Sequence, residues 1–303
     1  MRVKKVILFF IILAVIVIAV FVYISYTLRP YRLRISTTTS LYATGLLDYL
    51  ADAFVEKVRK NIIIDFTAVG SGQALKLASQ GDVDAVFSHA PNLEIEYIQQ
   101  GVIVNRTFIA YNYFVIVGPA DDPANIKNCT PEETFKRIYD AGERGEATFV
   151  SRGDNSGTHQ REFLLWKLAN LTVPSGKSWY IETGQDMTNT LLISNEKKAY
   201  TLSDIGTFLK LKIDGSIPNL EILVAQGDVL INIYCAYIVN ATMFPHVKAD
   251  LAWEFISFVA SDEGQDLIAS YGVDKYGQPL FYPAHGREKY LEQMWNWLIS
   301  LYE

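Results

Sequence analysis

Ser151-Arg152-Gly153-Asp154-Asn155-Ser156-Gly157-Thr158-His159 joins a β-rich run, Ala147 to Val150, to a helical pattern that reaches Asn170. Ser36-Thr37-Thr38-Thr39-Ser40 is built the same way. It follows the alternating Leu33-Arg34-Ile35-Ser36-Thr37 and precedes Leu46, Leu47, Leu50, Phe54 and Val58 at helical spacing. Each segment puts hydroxyls and unpaired backbone N–H groups at a helix N-terminus, where the helix dipole favours negative charge. Ala68-Val69-Gly70-Ser71-Gly72-Gln73 is a weaker third copy. Its glycines permit close backbone approach, although a tight turn before a helix explains them equally well. Three such ends meeting at one point would bind a small oxyanion.

The segments lie in an alternation of strands and helices. Ile62 to Val69 and Val83 to Phe87 read as strands, and Gly72 to Ser79 as a short helix. This pattern predicts a mostly parallel sheet with helices on both faces. Tyr113 to Val117 is a strand ending at Gly118-Pro119 and reads as a crossing into a second lobe. There a helix is expected over Pro131 to Ala141, a strand over Ala147 to Val150, a helix from Ser156, and another starting in Tyr200 to Asp204. The apolar Leu230 to Val239 reads as the return crossing. Helices over Asp250 to Val259 and Asp262 to Tyr271 belong to the first lobe, and Glu288 to Tyr302 is a terminal helix. The expected division is 1–31 for the tip, anchor and linker, 32–116 with 238–303 for lobe 1, and 117–237 for lobe 2. Helix N-termini at the carboxyl ends of the strands would then face a cleft between two α/β lobes.

Composition bounds the function. With 303 residues, half of them hydrophobic, the chain has material for two lobes and a sizeable core. Net charge is −6, with no basic tract and no nucleic-acid motif, so no nucleic-acid partner is expected. The N-terminus is basic through Arg2, Lys4 and Lys5, and residues 6–28 carry no charge. A helix over that length spans roughly 30 Å, enough to cross a bilayer. The bulky Val20-Phe21-Val22-Tyr23-Ile24 is unlike a cleavage site, so one uncleaved transmembrane helix is expected, with the globular part outside the cell. Arg29, Arg32 and Arg34 after the span balance the cations before it. Four Asn-x-Ser/Thr triplets, at Asn105, Asn128, Asn170 and Asn240, are compatible with that side of the membrane. Cys129 and Cys235 form either one disulfide or two buried thiols.

The site candidates follow from chemistry. One N-cap explains one hydroxyl of the Thr/Ser segment, not four. Arg152 can offer a fork of donors to an oxyanion, and Ser156 and Thr158 fall on the first turn. Asp154 accepts only, so it would repel a dianion, and its expected role is to hold Arg152 or cap the helix. The four histidines lack metal-ligand spacing, so no metal is expected. His89 ends a strand and reads as a hydrogen-bonded structural histidine. Ser156, His159 and Asp154 do not match the order or spacing of a nucleophilic triad, so the chain is not read as an enzyme.

With these residues in view, the chain resembles the tungstate-binding proteins of ABC transporters, the TupA family. The resemblance runs over nearly everything after residue 28. It rests on Thr37-Thr38-Thr39-Ser40, Ala68 to Ala74, Ser88-His89-Ala90-Pro91, Val117 to Pro123 and Val150 to His159. Further matches are Glu182-Thr183-Gly184-Gln185, Ala199-Tyr200-Thr201-Leu202 and Ser261-Asp262-Glu263-Gly264-Gln265. It implies a two-lobe, type II periplasmic-binding fold, here preceded by the transmembrane helix. It implies tungstate in the cleft, no cofactor, an ABC permease as partner, and a monomer. The ligand contacts it implies are Thr38, Thr39, Ser40, Ser71, Arg152, Ser156 and Thr158. Three helix ends at roughly +0.5 each plus Arg152 sum to about +2.5, which suits an unprotonated dianion. Molybdate and phosphate are alternative ligands, and a membrane-tethered oxyanion sensor is the alternative of another class.

Overall fold

The structure, a computed structural model, describes residues 12–20 and 30–303. Residues 12–20 form a helix (α1) with exposed apolar side chains, among them Ile12, Val15 and Ile18. No helix among the described residues is long and apolar enough to cross a membrane. The rest of the transmembrane helix expected over 6–28 lies outside the described residues.

The order continues β1 (Tyr31–Thr38), α2 (Thr39–Ala43), α3 (Leu46–Val58), β2 (Ile62–Val69), α4 (Ser71–Ser79), β3 (Ala85–Ser88), α5 (Pro91–Gln99) and β4 (Ile103–Pro119). Then come α6 (Pro131–Glu143), β5 (Phe149–Ser151), α7 (Gly157–Leu168), β6 (Tyr180–Glu182), α8 (Met187–Lys197), β7 (Thr201–Asp204), α9 (Ile205–Ile213) and β8 (Leu220–Val224). The chain ends with β9 (Ile231–Val239), α10 (Ala249–Ala260), α11 (Asp262–Ser270), α12 (Val273–Tyr276), β10 (Tyr282–Pro283) and α13 (Glu288–Ser300).

The main sheet runs β10-β4-β9-β3-β1-β2. β1 pairs in parallel with β2 and β3, while β9 is antiparallel to β3 and β4. Parallel pairing puts the carboxyl ends of three strands on one edge. Thr38 lies opposite Val69 and Thr37 opposite Phe87, so the chain leaves β1, β2 and β3 side by side into the Thr/Ser segment, Gly70 and His89. β4 is the long connector: as far as Tyr113 it pairs with β9, and from Phe114 it pairs with β7 and β8. A second, two-stranded parallel sheet, β5-β6, ends with Ser151 opposite Glu182 and delivers the chain to Arg152. The molecule is therefore a mixed α/β fold of two lobes.

Aromatic contacts pack the two larger of the three hydrophobic cores found among the described residues. Phe255 packs against Phe54 and Phe87 at 5.3 and 6.0 Å between ring centroids. Trp166 of α7 meets Phe135 edge-on at 4.5 Å and Phe149 at 5.6 Å. Both cysteines are free thiols.

Three expectations need correction. The main sheet is not mostly parallel: β1 pairs in parallel with β2 and β3, but β9 with β3, and β4 with β9, β10, β7 and β8, pair antiparallel, because the long β4 and β9 run back along the sheet. Thr201–Asp204 is a strand, not the start of a helix; it completes the ladder on β4, and Asp204 instead caps α9 by accepting from Thr207 N at 2.9 Å. The Thr/Ser segment does not lead straight into the long helix either. It forms the one-turn α2, capped by Thr38, and the Thr44-Gly45 turn separates this from α3. Helical periodicity over Leu46 to Val58 could not reveal so short a turn before it.

Candidate oxyanion site

Three helix starts converge. Thr38 accepts from Leu41 N at 3.4 Å and starts α2. Gly70 precedes α4. Ser156 accepts from His159 N at 3.3 Å and starts α7. The loops interlock: Ser71 Oγ of α4 accepts from Gly157 N of α7 at 3.2 Å, and Arg152 Nη2 donates to Thr39 Oγ1 at 3.2 Å. Close approach explains two glycines. A Cβ on Gly72 would lie 2.7 Å from Asn155 Nδ2, and one on Gly157 would lie 2.7 Å from His89 Cε1.

All seven predicted residues lie in this region, though they do different things. Thr38, Ser40, Ser71, Arg152, Ser156 and Thr158 are buried and Thr39 is half-buried. Thr38, Thr39, Ser71 and Ser156 each accept an N–H, which leaves the O–H of each hydroxyl to be donated elsewhere. Thr158 Oγ1, the neighbouring Thr37 Oγ1 and Arg152 Nε are buried without a partner. Ser40 is different, because its Oγ lies 3.3 Å from His89 Nε2. Asn232 uses its amide N–H groups on Asn112 Oδ1 and the Tyr234 hydroxyl, so its Oδ1 accepts from His89 Nδ1 at 2.8 Å. His89 Nε2 is therefore the acceptor and Ser40 the donor. Burial pushes the His89 pKa down to about 3, against the opposing Asn232 bond and with help from Arg152 and Arg161, so the ring stays neutral.

Asp154 holds Arg152, the first of the roles expected of it, while the cap of α7 is Ser156 and Asp154 braces that residue. Its Oδ2 accepts from Arg152 Nη2 at 2.5 Å and its Oδ1 from Ser156 N at 3.2 Å. Part of the Arg152 charge is thereby offset, and the simple sum over helix ends overstates the positive field. His159 cannot activate Ser156: its Nδ1 accepts from Asn155 N at 3.0 Å, which puts the proton on Nε2. Sequence reasoning placed His89 at a strand end but missed its hold on Ser40. It also missed Asn232 and Arg161, which sit in apolar or helical patterns that gave no polar signal.

The Arg152 loop rests on Glu162, which accepts from Ser151 Oγ at 2.7 Å, Tyr180 Oη at 2.6 Å and Trp166 Nε1 at 3.1 Å. Burial pushes the Glu162 carboxyl up to about 7, although those three bonds pull it down. A carboxyl raised on folding favours the protonated folded protein. Its contribution to stability is thus lost as pH rises from its ordinary range toward 7. The melting temperature of wild type is expected to fall by several degrees between pH 5 and 8, relative to Glu162→Gln. Parallel pH curves for the two proteins would show that Glu162 does not titrate in that window.

Two lobes joined by β4, with donor-rich helix starts meeting where they touch, define a solute-binding protein of the periplasmic-binding class. The family model described as "PBP superfamily domain" matches residues 27–263. The tungstate-binding protein TupA of Peptoclostridium acidaminophilum is 36% identical over 249 residues, 82% of this chain and 84% of that protein. The solved TupA from Desulfovibrio alaskensis G20 is 41% identical, with TM-score 0.70, over 84% of this chain and 98% of that one. A tungstate ABC transporter structure from Geobacter sulfurreducens is 46% identical, with TM-score 0.69, over 79% and 98%. The chain belongs to the TupA family of tungstate-binding proteins. It is a binding protein, not an enzyme.

Proposed function

We propose that this chain captures tungstate between its lobes and delivers it to the permease of an ABC importer. The observation that carries the reading is a cluster of donors in which Asp154 and the acceptor nitrogens of His89 and His159 already hold a donor. Thr39, Ser71 and Ser156 have each accepted an N–H and keep their O–H, while the Thr38 O–H is given to Ser40 Oγ at 3.5 Å; Thr37 and Thr158 hydroxyls are buried unpaired, and Arg152 Nε is unused. The nearby acceptors are engaged: both Asp154 oxygens hold N–H donors, and His89 Nε2 holds Ser40. A fully deprotonated tetrahedral dianion suits such a site. Phosphate, which carries a proton near neutral pH, would find to accept it only hydroxyl oxygens and a carboxylate that already holds two N–H donors. The ligand contacts proposed are Thr38, Thr39, Ser40, Ser71, Arg152, Ser156 and Thr158, with Ser40 contributing through its first-turn backbone N–H because its hydroxyl proton is given to His89.

The proposed lobes are 32–116 with 238–303, and 117–237; the change of β4 partners at Phe114 supports a crossing there. The protein acts as a monomer outside the cytoplasm, held at the membrane by a helix over residues 6–28. The charge-free run in that stretch and the exposed apolar side chains of α1 support this anchor.

Calorimetry of the globular part with tungstate, molybdate, sulfate and phosphate tests the ligand. Tungstate is expected to bind tightest and phosphate at least a hundredfold more weakly, about 2.7 kcal/mol. Tighter binding of phosphate than of tungstate would sink the reading.

A further inference from the structure

Arg161 sits on α7, three residues beyond Thr158, about 4.5 Å further along the helix axis. It is 2% exposed, yet among the described residues it has no carboxylate partner. Its Nη1 donates to the carbonyl oxygens of Val229 and Ile231, its other polar neighbour is the Tyr302 hydroxyl, and its Nε is unpaired. The guanidinium lies 5.3 Å from the centre of the Phe114 ring. Phe114 is 6.1 Å from the His89 ring, which holds Ser40. Arg161 is thus one side-chain layer behind the donor cluster, and its field reaches His89 together with that of Arg152.

An unpaired guanidinium in a dry interior is costly to bury, and two carbonyls and a ring face offset only part of that cost. The nearby carboxylates are committed elsewhere: Asp154 to Arg152, Asp204 to the start of α9, and Glu162 to Ser151, Tyr180 and Trp166. Since Asp154 offsets Arg152, Arg161 is a buried cation behind the cleft that, among the described residues, no carboxylate offsets.

We infer that Arg161 is a specificity-determining residue of the oxyanion site, which without touching the ligand supplies the second positive charge that favours a divalent over a monovalent tetrahedral anion. This rests on the cleft being the anion site. A cation acting through space stabilises a dianion by twice the free energy it gives a monoanion at the same place. The fold-loss for the dianion on removing the charge is then the square of that for the monoanion. A residue that merely braces Val229 and Ile231 would weaken both equally.

The test compares tungstate with perrhenate, its monovalent analogue of nearly the same size and shape, in wild type and three variants. Arg161→Gln keeps an N–H donor for the carbonyls without the charge, Arg161→Met removes both, and Arg161→Lys keeps the charge. Calorimetry or equilibrium dialysis reads affinity, and thermal melts control for folding. The neutral variants are expected to lose roughly 30-fold for tungstate and about 5-fold for perrhenate, while lysine keeps the tungstate-to-perrhenate ratio within about threefold of wild type. Equal losses for the two anions would overturn the assignment. So would failure of both neutral variants to fold while lysine folds, which would mark a purely structural cation. If wild type prefers sulfate to tungstate, the ligand proposed above falls, and Arg161 is judged instead on sulfate against perchlorate. Binding of no dianion by folded wild type overturns both proposals.

Discussion

Arg152→Ala is expected to weaken tungstate by about 2–4 kcal/mol, the cost of truncating one partner of a buried charged contact. Arg152 is 2% exposed, donates to Thr39 Oγ1 at 3.2 Å, and has Nε left over. Its removal takes a charge-assisted donor from the site and leaves Asp154, 18% exposed, facing a dianion without its counter-ion. Two consequences separate these terms. Arg152→Lys keeps the charge without the planar fork and should fall between wild type and alanine. Arg152→Ala combined with Asp154→Asn should bind better than Arg152→Ala alone, because the stranded carboxylate is gone. Tungstate titration of the variants, with melts as the folding control, reads all three. If folded Arg152→Ala binds as wild type does, the site is not where these residues meet.

Trp166→Ala is expected to cost about 3–5 kcal/mol of stability, the range for deleting a large buried aromatic. Trp166 is fully buried and makes edge contacts with Phe135 at 4.5 Å, Phe149 at 5.6 Å and Tyr180 at 6.2 Å. Its Nε1 also donates to Glu162, so alanine opens a cavity and removes a donor from a buried carboxyl. Trp166→Phe keeps one aromatic ring but loses the donor and the rest of the indole, for a smaller cost of about 1–3 kcal/mol. Denaturant unfolding without ligand is the proper measurement, because ligand at a thousand times its Kd adds about 4 kcal/mol and would mask part of the loss. A Trp166→Ala midpoint within experimental error of wild type would mean that the interior around α7 is not packed as described.

The local patterns were legible because they depend on near neighbours. Helical spacing placed α3 and the body of α7, and β-branched runs placed β2 and β9. Hydroxyls followed by helical spacing marked the start of α7, and the hydroxyls of the Thr/Ser segment marked a helix start that belongs to α2 and not to the helix expected, since capping chemistry is local. The same locality explains the misses. The backbone of Thr201–Asp204 has no strong preference of its own and becomes a strand because β4 offers it a ladder. The one-turn α2 is too short to leave a period.

By itself the sequence determined the alternation of strands and helices, the donor-rich segments, the charge-free stretch over 6–28 and, through the quoted motifs, the family. Tertiary structure decided what those donors face. Parallel pairing of β1, β2 and β3 brings Thr38, Gly70 and His89 to one edge, and only the meeting of segments far apart in the chain sets Ser71 against Gly157 and Arg152 against Thr39. It also decided the charge balance. The Arg152–Asp154 pair, the neutral His89 and the unpaired Arg161 follow from burial and from neighbours far away in the chain, as with Asn232 for His89 and Val229 for Arg161. No local pattern encodes such pairs, because desolvation and through-space fields depend on where the folded chain puts them.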